Sequence, residues 1–194
     1  MSHQQYMQSV IQDSIAVKQA LLASPEHLAE INDVAELCVT AYKNGRKLLI
    51  AGNGGSAGDA QHIAAELVAR FEFDRPGLPA IALTTDTSML TAIGNDYGYD
   101  RVFSRQLEAN AVEGDVFIGI STSGNSKNIL AAMESAKKMG VTCVGLCGEG
   151  GKIKTLADNV ISVPSDCTAR IQESHILVGH ILCGVIEQTI FSQT

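Results

Sequence analysis

The sequence predicts a doubly wound α/β fold, a three-layer αβα sandwich around a five-stranded parallel sheet. Two observations carry this. Five short apolar runs, KLLIA (47–51), PAIAL (79–83), DVFIGI (115–120), VTCVGL (141–146) and NVISV (159–163), alternate with stretches of helical periodicity. Strands that are apolar almost without interruption are covered on both faces, which is the signature of a parallel sheet between helical layers. In addition, the first and third runs each end in a glycine- or hydroxyl-rich turn that opens a helix, as at a binding crevice beyond the carboxyl ends of parallel strands.

The elements follow in chain order. Tyr6, Val10, Ile11, Ile15, Leu21 and Leu22 recur at helical spacing, so residues 4–23 form a helix. Ser24-Pro25-Glu26 then supplies an N-cap, a proline for the first helical position and an acid for the first turn. The second helix runs from Pro25 to about Asn44, where Gly45 provides a left-handed stop. Within the sheet region, helices start near Ser56, Thr87, Ser126 and, more weakly patterned, Gly151. The last helix, Thr168 to Phe191, has little purely polar face, and a helix apolar nearly all round is buried on more than one side. Together with two N-terminal helices outside the sheet pattern, it reads as an oligomer interface; a central helix within one subunit is the other reading.

The 194 residues are enough for one domain, with a helical pair at 1–45 and an α/β core with its C-terminal helix at 46–194. Hydrophobic residues make up 45% and charged residues 18%, a globular composition. The formal net charge of -7 and a pI near 5.1 exclude a basic nucleic-acid footprint. No stretch approaches the ~18 unbroken apolar residues of a membrane span, and MSHQQYMQSV lacks the pattern of a secretory signal. Five cysteines, an odd number without a CxxC pair, sit mostly in apolar segments. A reduced, cytoplasmic protein is expected.

Gly52, Gly54 and Ala57 can be laid onto the dinucleotide fingerprint G-x-G-x-x-G/A. That reading fails further on, because the next strand closes at Thr84-Thr85-Asp86, well past the position where the ribose-binding acid belongs. No Gly-Lys-Ser/Thr follows either, which excludes an NTPase loop. What remains is a helix N-terminus whose free N–H groups, at Asn53, Gly54, Gly55 and Ser56, favour an anion or sugar oxygens. The second turn, Ser121-Thr122-Ser123-Gly124-Asn125-Ser126, gathers four hydroxyls at another helix start. One serine there would be only an N-cap; four make a neutral phosphate cradle.

GNGGSAGDAQHIAAEL, TAIGNDYGYDRVFSRQ, ISTSGNS and ARIQESHILVGH, in that order along the chain, resemble the phosphoheptose isomerase family of sugar isomerase (SIS) domains. The resemblance implies a flavodoxin-like sheet and a homotetramer with active sites at subunit interfaces, its N-terminal helices used for oligomerisation. It also implies conversion of sedoheptulose 7-phosphate to D-glycero-D-manno-heptose 7-phosphate, the first step toward the heptose of bacterial surface polysaccharide. By resemblance the base is Glu66 and the acid His180, with one Zn²⁺ per subunit on His62, Glu66, Gln172 and His180. Sugar-phosphate contacts are implied at Asn53, Gly54, Gly55, Ser56, Glu66, Asn95, Asp96 and Gln172, and at the cradle residues Ser121, Thr122, Ser123 and Ser126.

The residues themselves permit this chemistry. Moving a proton between adjacent carbons through an ene-diol(ate) needs a base over the carbons and a proton shuttle for the oxygens. His62 and Glu66, at i and i+4, share a helix face and carry donor types that zinc accepts, though such a pair alone also serves as a solvated helix pair. Gln172 and His180 are eight residues apart, about 12 Å of rise on a regular helix, which an irregular helix start or ligands from two subunits would relieve. A zinc-bound carboxylate is also a weaker base, so either Glu66 uses its second oxygen or the metal acts as a Lewis acid on the carbonyl. His175 lies about 140° around the helix from His180 and reads as an interface or partner-bonded histidine. Asn95 and Asp96 are read as loop residues, and Tyr97 and Tyr99 as packing residues. The competing readings are a non-catalytic tetramer of the same fold that binds the replication initiator DnaA, whose relatives lack the counterparts of Glu66 and His180, a sugar-phosphate sensor, and a nicotinamide-dependent dehydrogenase.

Overall fold

The structure, a computed structural model, describes residues 1–192. Its helices are α1 (His3–Ala23), α2 (Pro25–Lys43), α3 (Gly55–Val68), α4 (Thr87–Tyr97), α5 (Val102–Asn110), α6 (Lys127–Lys138), α7 (Ile153–Leu156) and α8 (Thr168–Phe191), with a 3₁₀ turn at Tyr99–Arg101. The strands are β1 (Leu48–Gly52), β2 (Ala80–Ala82), β3 (Val116–Ile120), β4 (Thr142–Cys147) and β5 (Asn159–Ser162). All strand pairs are parallel and the order is β2-β1-β3-β4-β5. The chain therefore runs outward from β1 to β2 and returns to the other side of β1, and this reversal leaves a crevice beyond the carboxyl ends of β1 and β3.

Alternation along each strand divides the core. Leu48 and Ile50 of β1 and Val116 and Ile118 of β3 face the layer built from α2, α3 and α8. Leu49 and Ala51 of β1 and Phe117 of β3 face the opposite layer, where Phe103 and Leu107 of α5 and Met133 of α6 close the core. Both faces of the sheet are thus dry, which is why its strands are apolar on consecutive residues.

The two N-terminal helices differ. α1 opens with a full capping box between Ser2 and Gln5, yet Leu21 is its one buried residue. α2 starts as the sequence indicates, with Ser24 Oγ accepting from the His27 N–H and Pro25 at the first position, and Gly45 follows it at φ +69°. Its Ile31, Val34 and Cys38 are buried in the core, and the helix packs on β5 and α8. α2 therefore belongs to the helical layer, contrary to the expectation that both N-terminal helices stand outside the sheet.

Two further differences have physical causes. α5 carries no clean helical stripe, because Ser104 and Gln106 are buried with Val102, Phe103 and Leu107. The Gln106 amide donates to the carbonyls of Leu83 and Val102, so a polar side chain occupies a core position. Asn95 and Asp96 lie in the last turn of α4 and not in a loop, since the helix continues to Tyr97 before Gly98 ends it at φ +86°.

α8 is apolar and long enough to cross a membrane by length and composition alone. Here it lies across α2 and α3, burying Ile171, Val178, Leu182 and Ile186, as a central helix does. Cys38, Cys143 and Cys183 are buried free thiols whose pKa burial pushes up to about 12, so none is a reactive thiolate at neutral pH.

His175 is the buried exception on α8. It is fully enclosed, and neither ring nitrogen has a partner at hydrogen-bond geometry among the described residues, although the Cys147 backbone faces the ring. It is not exposed for an interface in this chain, the first of the two readings, and the Cys147 backbone is the polar group that faces it. Burial lowers its pKa from 6.5 to about 4, with the Cys147 backbone opposing. The unfolded chain takes up this proton below pH 6.5 and the folded chain only near 4, so this contribution is complete above 6.5 and is lost as the pH falls from 6.5 to 4. The loss amounts to at most about 3 kcal/mol. Urea melts at pH 7.5 and 5 should show a larger drop in wild type than in His175→Leu; equal drops would acquit His175 as the acid-sensitive group.

Candidate active site

The crevice begins with the turn after β1. Gly52 passes so close to Ser56 that a Cβ would collide with its backbone, and Gly54 sits at φ +57°, ψ -120°, a conformation open to glycine. These two positions let the chain turn directly into α3, whose Ser56 and Ala57 N–H groups close the turn on the Asn53 and Gly54 carbonyls. Asn53 is fixed by a reciprocal amide pair, its Nδ2 donating to Asn128 Oδ1 at 2.9 Å and Asn128 Nδ2 donating to Asn53 Oδ1 at 2.8 Å. The Tyr99 hydroxyl also donates to Asn53 Oδ1, at 3.2 Å, so Tyr99 reaches the site where packing was expected. Tyr97 does pack, under the Arg105 guanidinium.

The turn after β3 lies alongside. Ser121 Oγ and Ser126 Oγ are 2.9 Å apart, and Ser126 heads α6 without spending its side chain on a cap. Ser123 is turned outward, with Oγ accepting from the Asn125 N–H, while Thr122 lines the cavities on both sides. One of these, about 380 Å³, is bounded by Asn53, Gly55, Ser56, Thr122, Thr168 and Gln172 and joins the two turns. The four hydroxyls thus divide into a converging pair, a wall residue and a turn residue. Asn95 and Asp96 are exposed and bonded to one another, the Asn95 amide donating to Asp96 Oδ1 at 2.8 Å.

Deeper along α3, Asp59, His62 and Glu66 follow on one face, opposite Gln172 and His180 of α8. Gln172 Nε2 lies 3.3 Å and 3.4 Å from the two Asp59 carboxylate oxygens. Burial raises the Asp59 pKa, opposed by the Gln172 hydrogen bond and the His62 charge. His62 Nε2 and His180 Nε2 face each other at 2.9 Å, and Glu66 Oε1 is 3.4 Å from His62 Nε2. The rings of His62 and His180 meet edge to face at 5.1 Å, and Phe71 stacks on His180 at 5.6 Å.

This donor set bears on zinc. Among the described residues no three His, Cys, Asp or Glu side chains stand in a metal-holding group. Two imidazole nitrogens aimed at each other at 2.9 Å, with a carboxylate beside them, nevertheless offer lone pairs of the type zinc takes. His62, His180 and Glu66 carry donor types that zinc accepts, without being drawn together into a three-ligand group. Gln172 is engaged with Asp59, and α8 is a regular helix from Thr168 onward, so no irregular start shortens the eight-residue spacing to His180.

Sequence reasoning missed Asp59, Asn128, Tyr99 and the Phe71 segment. Asp59 could have been found, since it lies one turn before His62 on the same face. Asn128 and Phe71 reach the site only through tertiary packing.

The SIS domain family profile matches residues 13–148. The phosphoheptose isomerase of Aneurinibacillus thermoaerophilus is 62% identical over 187 residues, 96% of this chain and 94% of that protein. The solved phosphoheptose isomerase of Francisella tularensis superimposes with a TM-score of 0.91 at 39% identity, covering 97% of this chain and 100% of that one. Phosphoheptose isomerase GmhA from Neisseria gonorrhoeae gives 0.88 at 44% identity over 96% and 100% of the two chains. Identity of this extent spans both turns and both site helices, and the chain belongs to the phosphoheptose isomerase family of SIS-domain enzymes.

Proposed function

We propose that this protein isomerises sedoheptulose 7-phosphate to D-glycero-D-manno-heptose 7-phosphate, in the cytoplasm, as the first step of heptose supply for bacterial surface polysaccharide. The observation that carries the reading is the convergence of Glu66, His62 and His180 along the wall of a crevice whose other end has two helix N-termini. The phosphate sits at the Ser121–Ser126 turn, on backbone N–H groups and hydroxyls, and Gly54 and Gly55 of the first turn add N–H donors, with the Ser56 hydroxyl beside them. Asn53, Gln172, Asn95 and Asp96 take sugar hydroxyls.

In the ketose, Glu66 removes a proton from C1 while His180 gives one to the C2 oxygen, leaving a neutral ene-diol. His180 then takes the proton from the C1 oxygen as Glu66 returns its own to C2, which yields the aldehyde and restores both groups. Glu66 suits the first task because its carboxylate is partly enclosed and only its Oε1 lies near the His62 imidazole, at 3.4 Å. Imidazole has the intrinsic proton affinity to serve as donor and acceptor near neutral pH. Zinc held by His62, Glu66 and His180 would supply Lewis-acid polarisation of the carbonyl, while Gln172 of the same chain, bonded to Asp59, stays at the sugar-hydroxyl end. The residues then hold and orient the C1–C2 edge against Glu66.

The four-subunit assembly belongs to the same proposal. α1 exposes Tyr6, Met7, Ile11, Ile15 and Leu22, and α8 exposes Leu177, Ile181 and Val185 at one-turn intervals. These stripes suit burial between copies of the chain. Light scattering at micromolar concentration should report four subunits; a stable, active monomer would overturn the shared-interface site.

Ser123→Ala with Ser126→Ala should raise KM for the sugar phosphate strongly while the circular dichroism spectrum is unchanged. An unaltered KM would move the phosphate elsewhere.

Glu66→Gln and His180→Gln should each lower kcat by at least about 10²-fold, with substrate binding largely kept, because general acid–base groups contribute ~10²–10⁴. NMR detection of an aldoheptose phosphate from sedoheptulose 7-phosphate reads the reaction, and zinc per subunit by atomic absorption separates lost catalysis from lost metal. Near-normal turnover in Glu66→Gln would remove it as the base.

A further inference from the structure

The segment that follows α3 holds an ion pair that the proposed chemistry does not use. The Glu187 carboxylate is fully buried and accepts from the N–H groups of Phe71, Glu72 and Phe73 and from Arg75 Nε at 2.8 Å. Burial alone would raise its pKa, but these four donors together hold it below the ordinary carboxylate value. Arg75, whose side chain is 2% exposed, spends its remaining N–H groups on backbone carbonyls, among them those of Glu66 at 2.8 Å and Leu67 at 2.6 Å. One buried pair thus ties down the carbonyls that end α3, including that of the base residue, and the loop beyond it.

The same pair fixes the loop relative to α8. Glu187 lies seven residues after His180, two turns on and on the same face. Phe71, whose N–H is bound to Glu187, lays its ring on the His180 imidazole, with centroids 5.6 Å apart and planes 28° from parallel. Gly184, one turn after His180, lies under the ring, where a Cβ would be in ordinary contact with Phe71 Cε1 at 3.4 Å. His180 therefore contacts two rings, Phe71 stacked on it and His62 edge-on.

We propose that Phe71, seated by the Glu187–Arg75 pair, is a positioning residue for His180, fixing the plane of the imidazole so that the ring is presented to the sugar oxygens at a constant angle. The inference rests on His180 being the proton shuttle. An anchor for the loop alone needs only the backbone bonds to Glu187, whereas a flat ring against a partly exposed imidazole constrains a side chain with a rotatable ring. Misplacement of a reacting group by about 1 Å lowers rates by up to ~10²-fold.

Phe71→Leu is the decisive variant, because it keeps an apolar side chain and every backbone bond to Glu187 while removing the ring. Its kcat should fall about ten- to hundredfold with KM and melting temperature unchanged. Phe71→Tyr should restore kcat. In the metal-free protein, the His180 ring-proton resonances should lose their ring-current shift in Phe71→Leu and regain it in Phe71→Tyr. Unchanged kcat in Phe71→Leu, or a rise in KM with kcat intact, would overturn the proposal while leaving the isomerase reading untouched. If His180→Gln itself turned over normally, the shuttle assignment would fail first and the positioning role with it. Glu187→Gln, should it fold, ought to reproduce the Phe71→Leu loss in kcat; full activity there would also count against the seating role of the pair.

Discussion

The parallel pairing of β1 with β3 is the constraint on which the rest depends. Its register sets Gly52 beside Ile120, so the two strands end level and their two turns emerge side by side. Had β2 lain between them, the turn at Asn53 and the turn at Ser121 would stand two strand widths apart, about 10 Å. With them adjacent, Asn53 and Asn128 can join in a two-bond amide pair that spans both turns. The crevice is therefore a product of strand order, and its polar lining is a product of what each turn must do to leave a strand and begin a helix.

Across that crevice the packing of α3 on α8 sorts two glutamates into opposite roles. Glu187 is buried and surrounded by four donors, so it is held ionised and its lone pairs are committed. Glu66 is about a quarter exposed and has one imidazole nearby at 3.4 Å, so its oxygens stay available to a substrate. The same side chain is a committed structural anion in one environment and, in the proposed reaction, a base in the other. The distinction is invisible in composition, where both are one glutamate on an apolar helix.

What the sequence made legible follows physical range. The five strands, the caps of α2, and α8 at Thr168–Phe191 are local consequences of periodicity, proline and glycine, and all appear where those signals lie. Glu66 and His62 were legible because four residues on a helix determine a shared face. α5 escaped because its interior positions include Ser104 and Gln106, satisfied by bonds that only the folded chain supplies. Asn128, Phe71 and the Arg75–Glu187 pair escaped for a related reason: their partners are 75, 109 and 112 residues away in sequence. The placing of Asn95 and Asp96 in a loop failed because a turn-forming Asn-Asp pair also ends a helix well, with Gly98 there to stop it.

The eight-residue interval between Gln172 and His180 looked like an obstacle, and the folded chain shows how each end is used. Gln172 meets Asp59 beside the first turn, and His180 meets His62 farther along the same pair of helices. α8 thus sets about 12 Å between the Gln172–Asp59 contact and the His62–His180 contact, which in the proposed reaction are the polyhydroxyl and proton-transfer ends. A substrate with its phosphate at the turns and its C1–C2 edge at Glu66 would lie along that interval. Within one chain the far end stays open, with the His62 side chain 45% exposed, whereas an ene-diolate profits from exclusion of water. The apolar stripe of Leu177, Ile181 and Val185 flanks His180 on the same helix. In the proposed tetramer, a second subunit covering that stripe would shield the open end, so assembly and chemistry would depend on the same surface of α8.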